Sequence, residues 1–287
     1  MSPYFNSIIT KALNTSIEEL TQISGGDISQ AYKISTPQAD YFLKVNNAPD
    51  ALTMFQTEAY GLQSIAKTNT IKTPKVIACD VFENSAFLIL EFIASKSPST
   101  QDFKTLGAQL AQLHKCTSKY FGLDSDNFIG LLPQSNIQHK IWVDFYTYQR
   151  LQPQLELAKQ KGLLQDSECP KPEHIKNKLK PLFEDITPSL LHGDLWSGNY
   201  LISKNGTPCL IDPAVYYGHA EVDIAMSKLF GGFSQSFYSA YHDYFPMDIN
   251  TKTRIEIYQL YYLLVHLNMF GHSYYDSVNS ILKRHFT

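Results

Sequence analysis

Short apolar runs dominate the first third of the chain, and an apolar repeat of three to four residues dominates the rest. The stretches 21–24 and 31–35 read as strands joined by a turn built on Gly25-Gly26-Asp27, and 41–45, 75–79 and 86–90 read as three more. Between the third and fourth, the segment 51–67 carries Phe55, Ala59, Leu62, Ile65 and Ala66 at helical spacing, which predicts an amphipathic helix. The polar stretch 94–100 then breaks the pattern. Phe103, Leu106, Leu110 and Leu113 share one face of a helix over 103–115, another opens at Ile141 and runs through Leu151, and others cover 257–270 and the C-terminal end. Leu190-Leu191 leads into a polar loop, 200–202 leaves it, and 209–211 runs up to Asp212 after an Asn205-Gly206 turn, a hairpin-like pair of short strands. The pattern predicts an α+β chain of two lobes: 1–93, with a small antiparallel sheet, and 94–287, larger and mostly helical.

Two residues break the apolar pattern in a way that asks for a partner. Lys44 interrupts the run 41–45, and Glu58 falls on the apolar stripe of the 51–67 helix. A charge directed at a core costs roughly several kcal/mol unless paired, so each is the other's expected partner. A Gly-Gly turn between strands is ordinarily just a hairpin. Above a strand Lys paired with a helix Glu, however, it matches the arrangement that positions nucleotide phosphates, which makes Gly25 and Gly26 candidate ATP contacts.

The loop His192-Gly193-Asp194-Leu195-Trp196-Ser197-Gly198-Asn199 and the run Leu210-Ile211-Asp212-Pro213 add two carboxylates and a carboxamide. Phosphoryl transfer requires a carboxylate to orient or deprotonate the incoming hydroxyl, and oxygen ligands for magnesium on the nucleotide phosphates. Asp194 suits the first role, and Asn199 and Asp212 the second. Asp194 and Asn199 keep the Asp-x-x-x-x-Asn spacing of protein-kinase catalytic loops, with Gly193 where Arg is usual. Glu91, Phe92 and Ile93, which lead out of the last predicted strand, are candidates to meet the adenine edge through their main chain.

Composition narrows the partners. The 287 residues are 44% hydrophobic and 18% charged with a formal net charge of −3, enough apolar material for a substantial core and two lobes. No Lys/Arg run exceeds two, so neither nucleic acid nor a membrane surface is expected as a partner. Cys79, Cys116, Cys169 and Cys209 are widely separated, which reads as reduced thiols of a cytoplasmic protein. The N-terminal residues carry no signal-peptide pattern, and Glu91 and His266 interrupt the most apolar runs, so no membrane span is expected.

The run 192–199, taken with 211–226 (Ile-Asp-Pro-Ala-Val-Tyr-Tyr-Gly-His-Ala-Glu-Val-Asp-Ile-Ala-Met) and 229–233 (Leu-Phe-Gly-Gly-Phe), resembles the fructosamine kinase family over nearly the whole chain. The stretches 25–32, 126–134, 149–151 and 260–264 support the resemblance. It implies a protein-kinase-like fold and ATP-dependent phosphorylation of ketosamines, free or on glycated protein, at the sugar C3 hydroxyl; the product then decomposes and frees the amine. By the same resemblance Asp194 is the base, Asn199 and Asp212 hold Mg2+, and Lys44 joins the ATP phosphates to Glu58. Trp196, Tyr216, His219 and Glu221 become candidate substrate contacts. Trp196 reads equally as a wall of the sugar site or as a buried aromatic fixing the loop, and Asp223 reads as an anchor for the loop. His114, at a helix end, reads as structural. The turn departs from the family in carrying Asp27 where a third small residue or a Cys is common. Aminoglycoside and choline kinases share Asp194, Asn199 and Asp212 but lack the run after Asp212; a catalytically silent kinase-like binding protein would have lost one of those groups.

Overall fold

The computed structural model describes residues 3–23 and 29–287. The Gly25-Gly26-Asp27 turn lies outside them. In chain order the elements are α1 (Pro3–Leu13), β1 (Glu19–Ile23), β2 (Gln30–Ser35), β3 (Asp40–Asn46), α2 (Ala51–Lys67), β4 (Val76–Phe82), β5 (Ser85–Glu91), β6 (Ser95–Lys96) and α3 (Thr100–His114). There follow β7 (Asn127–Ile129), β8 (Leu132–Gln134), α4 (Trp142–Tyr146), α5 (Gln152–Gln160), α6 (Pro172–Leu179), β9 (Ser189–Leu191), β10 (Tyr200–Ser203), β11 (Pro208–Leu210) and β12 (Tyr216–Gly218). The chain ends with α7 (Glu221–Leu229), α8 (Gln235–His242), α9 (Thr251–Phe270) and α10 (Tyr275–Phe286). This is the α+β organisation the sequence pattern predicts.

The first five strands form one antiparallel sheet in the order β1-β2-β3-β5-β4. Strand alternation divides its faces. Leu43 and Val45 of β3, with Phe87 and Ile89 of β5, pack against Phe5 and Ile9 of α1. Phe42 points to the other face, where Leu88 and Leu90 meet Phe55, Ala59 and Leu62 of α2. Lys44 shares the parity of Phe42 and pairs in register with Leu88, so the same alternation aims it at α2.

The larger core is built around α9, a 20-residue helix buried on nearly every side, with α5, α7 and α10 packed about it, while α3 joins the same core against α8. Helix α3 starts three residues earlier than its apolar spacing predicts, because Ser99 and Asp102 form a reciprocal capping box that satisfies the first amides. The helix expected over 141–151 is not regular. Thr147–Leu151 is a π turn, which carries the fully buried Arg150 against the rings of Tyr216 and Phe145. Two short pairings were not visible in the sequence. β6, within the polar break at 94–100, pairs with β10, and the run after Asp212 forms β12, which pairs with β9. The hairpin β10–β11 turns at Asn205-Gly206 as expected, with Gly206 at φ +87°.

Candidate active site

Lys44 is 9% exposed and lies between two carboxylates. Its Nζ donates to Glu58 at 2.9 and 3.1 Å and forms a short contact with Asp212 Oδ1. One ammonium thus serves two buried acids, and they respond in opposite directions. Burial acts upward on both, but Lys44 holds the Asp212 carboxyl below the usual range, while burial and the neighbouring Asp212 push Glu58 up to about 8. Asp212 adopts φ +53°, a left-handed conformation that Asp tolerates better than most residues.

The loop leaving β9 is held from several sides. His192 is buried and neutral: its Nε2–H donates to the Ile211 carbonyl at 2.8 Å, and its Nδ1 accepts from the Asp194 amide at 3.2 Å. Backbone bonds from Ala214 N to His192 O (2.9 Å) and from Ile211 N to Asn199 O (3.0 Å) tie this loop to the Asp212 loop. Gly193 has φ +85°, and a β-carbon there would lie 2.0 Å from the Ala214 carbonyl oxygen, so no side chain fits. Asp194 is partly buried. Loss of solvation, with the negative charges of Asp212 and Asp223, raises its carboxyl to about 7, the range in which a general base works at neutral pH. Asn199 Nδ2 donates to Asp194 O (2.9 Å) and Oδ2 (3.2 Å), and its own Oδ1 accepts no hydrogen bond among the described residues. Asn199 Oδ1 and the Asp212 carboxylate are therefore hard oxygen donors suited to a magnesium ion whose remaining ligands are phosphate and water.

The geometry can be compared with known proteins. A family model described as fructosamine kinase matches residues 1–287. The chain belongs to the fructosamine kinase family. The "Ketosamine-3-kinase" of Mus musculus is 36% identical over 94% of this chain and 95% of its own length. A solved structure from Haemophilus somnus 129PT, provisionally named a fructosamine-3-kinase, superposes with a TM-score of 0.89 at 27% identity, covering 99% of this chain and 97% of the other. The kinase-like fold extends further. An aminoglycoside phosphotransferase solved with ADP and hygromycin B superposes with a TM-score of 0.62 at 18% identity over 97% of both chains. As a member of this family, the chain is a phosphotransferase acting on a hydroxyl group.

The remaining sequence candidates fall in different layers around this family's loops. Trp196 is 38% exposed, with its ring against Gly198, and so stands at the surface rather than in the core. Tyr216 has no exposed surface; its ring lies 4.0 Å from the Arg150 guanidinium, beneath the site rather than on its wall. His219 is held by Nδ1 to the Tyr258 hydroxyl at 2.6 Å, which also accepts from Trp142 Nε1, and burial lowers its pKa to about 3, so it is a neutral ring. Glu221 is clamped by Arg254 at 2.6 and 2.7 Å. Glu91 donates its amide to the Lys75 carbonyl and bonds the Lys72 ammonium, and Phe92 N donates to Asp40 O. The Ile93 amide has no hydrogen-bond partner among the described residues.

Asp223 anchors the loop, though not as a cap of its own helix. Its carboxylate accepts from His192 N at 2.7 Å and Gly193 N at 2.9 Å, and contacts His114 Nε2 at 3.0 Å. His114 in turn meets the Tyr241 hydroxyl at 2.8 Å, a structural role as expected. The sequence reading missed Tyr262. From the buried face of α9 its hydroxyl donates to Gly193 O at 2.8 Å, so the Gly193 residue is held by its N–H from Asp223 and by its carbonyl from Tyr262. No local pattern marks such a residue: Tyr262 reads as one more aromatic in an apolar helix.

Proposed function

We propose that this chain phosphorylates ketosamines at the sugar C3 hydroxyl with ATP, in a cleft between lobes 1–93 and 94–287, and so initiates removal of sugar from glycated amines. The observation that carries the reading is the convergence of Lys44, Glu58, Asp194, Asn199 and Asp212 in one site of a chain of this family. Lys44 neutralises the phosphates and is itself held by Glu58. The Ile93 amide, without a hydrogen-bond partner among the described residues, meets the adenine edge together with the main chain of Glu91 and Phe92. Gly25 and Gly26 cover the phosphates.

Asp194 accepts the proton of the C3 hydroxyl as that oxygen attacks the terminal phosphorus, and the Asn199 amide keeps its carboxylate in place. Mg2+ held by Asn199 Oδ1 and Asp212 would supply positive charge opposite the phosphates. Trp196 presents an apolar wall to the sugar's carbon face, and His219 and Glu221 border the acceptor with Tyr216 packed behind them. The substrate is a small ketosamine or the same group on a protein. The reduced thiols fit a cytoplasmic setting, and no helix among the described residues is long and apolar enough to cross a membrane.

The product predicts its own fate. With phosphate on C3, loss of a proton from C1 gives a 1,2-enaminol that expels inorganic phosphate from C3, and water then releases the amine. The test offers ATP with ribulose and fructose adducts of amines, an aminoglycoside and choline, following the products by mass spectrometry and phosphorus NMR. Transfer to the ketosamines followed by slow release of phosphate and free amine is expected. A stable ester on a terminal hydroxyl, or transfer to choline or the aminoglycoside alone, overturns the reading.

A further inference from the structure

A group of aromatic side chains stands open beside the catalytic loop. Phe230, at the end of α7, is 43% exposed, and Phe270, at the end of α9, is 52% exposed. His266 joins them: its ring centroid lies 4.8 Å from that of Phe230, 5.6 Å from Phe270 and 5.1 Å from Tyr274. Phe270 and Tyr274 are 6.3 Å apart. Two exposed phenyl rings in one patch leave apolar area in water that folding has not removed.

Two independent connections fix this ledge next to the phosphoryl-transfer loop. Phe230 is followed by Gly231 and Gly232, both at positive φ, and Gly232 approaches the loop so closely that a β-carbon would lie 2.3 Å from Ser197 Cβ. The Gly232 carbonyl also accepts from the Tyr200 hydroxyl at 3.0 Å. On the other side, His266 Nδ1–H donates to the Tyr262 carbonyl at 2.8 Å, one helical turn away, and the Tyr262 hydroxyl holds Gly193. The ledge is thus joined at both ends to the loop bearing Asp194.

The ring faces there are open to a cation. Elsewhere Lys33 covers Phe92, Lys115 covers Tyr244, and Lys228 covers Tyr238. Among the described residues no Lys or Arg lies over Phe230, His266, Phe270 or Tyr274, so their faces remain available to a ligand. Burial keeps His266 neutral. The nearby Lys161 bonds the Asn268 carbonyl, and Asn268 turns its amide into the core toward Gln154, away from the ledge.

We propose that Phe230, His266, Phe270 and Tyr274 form the subsite for the amine substituent of a ketosamine, stacking on its alkyl or aryl arm and on the adjoining ammonium. The proposal rests on the ketosamine reading above and adds which part of the substrate sets selectivity. The amine is attached at C1, two carbons from the reacting C3 hydroxyl, so with C3 at Asp194 the arm must leave the cleft beside the loop that the ledge borders. Ketosamines carrying an extended arm are therefore preferred over those of a minimal amine.

The test compares steady-state kinetics for two ribulose adducts, one on the side-chain amine of Nα-acetyl-lysine and one on methylamine. The parent should show the higher kcat/KM for the lysine adduct. Phe230→Ala and Phe270→Ala, at exposed positions that keep the fold by circular dichroism, should each raise KM for the lysine adduct relative to the methylamine adduct by about 2- to 30-fold, the range for losing one aromatic contact to a cation, from exposed to desolvated. Equal KM changes for both adducts, no change for either, or a parent without preference between the arms overturns the subsite while leaving the kinase reading intact. A parent that phosphorylates neither adduct removes the ketosamine reading and the subsite with it.

Discussion

Lys44→Met, Glu58→Gln and the double variant form a cycle whose outcome follows from the geometry. At 2.9 Å and an effective dielectric of about 20, the attraction of Lys44 for one carboxylate is roughly 6 kcal/mol gross. Burial of all three groups takes back most of it, leaving a coupling of about 1 to 2 kcal/mol. Lys44→Met removes the phosphate cation outright, and kcat/KM for ATP should fall by about 10² to 10³. Glu58→Gln should be milder, about 3- to 10-fold, because the glutamine carbonyl can still accept from the lysine and Asp212 still holds it. Once Lys44 is gone, Glu58 has nothing left to position. The double variant should therefore match Lys44→Met alone. The assay is ADP release under varied ATP, with thermal melts to confirm that each variant is folded. A double loss equal to the product of the single losses would refute a shared ion pair.

Asp194→Asn should keep the fold and nucleotide binding while cutting kcat by about 10² to 10⁴. In the parent, kcat/KM for the acceptor should be full above an acid limb near the Asp194 value of about 7 and lost below it, because the base acts only when deprotonated; a profile flat from pH 5 to 8 removes Asp194 from that role. Asn199→Ala and Asp212→Ala should each shift the magnesium titration of activity to higher concentration, the second further because it also removes a charge; curves that overlay the parent's exclude these residues as ligands. Tyr262→Phe leaves the buried Gly193 carbonyl unpaired, a cost of about 1 to 3 kcal/mol in stability, and should lower kcat more than KM for ATP. A variant with the parent's melting temperature and kcat shows that the hydroxyl does not position the loop.

Much of the candidate site's geometry was legible because it is written at short range. The spacing of Asp194 and Asn199 belongs to one loop, the Asn205-Gly206 turn dictates the hairpin leading to Asp212, and the parity of Lys44 on β3 and of Glu58 on α2 makes their meeting a consequence of strand and helix periodicity. Apolar spacing alone placed α2 at its observed limits. The supports of the site were not legible. Asp223 lies 30 residues from the Gly193 amide it binds, and Tyr262 lies 69 residues from the carbonyl it holds. Tyr216, polar in the sequence, is sealed under Arg150 by a π turn that no periodicity announces. The pairings of β6 with β10 and of β12 with β9 involve runs of two or three residues, too short to carry an alternation of their own. Local pattern determines which residues can share a face or a loop. Which distant donor satisfies a buried carbonyl or carboxylate is decided only when packing removes water from both, because until then water serves each of them equally well.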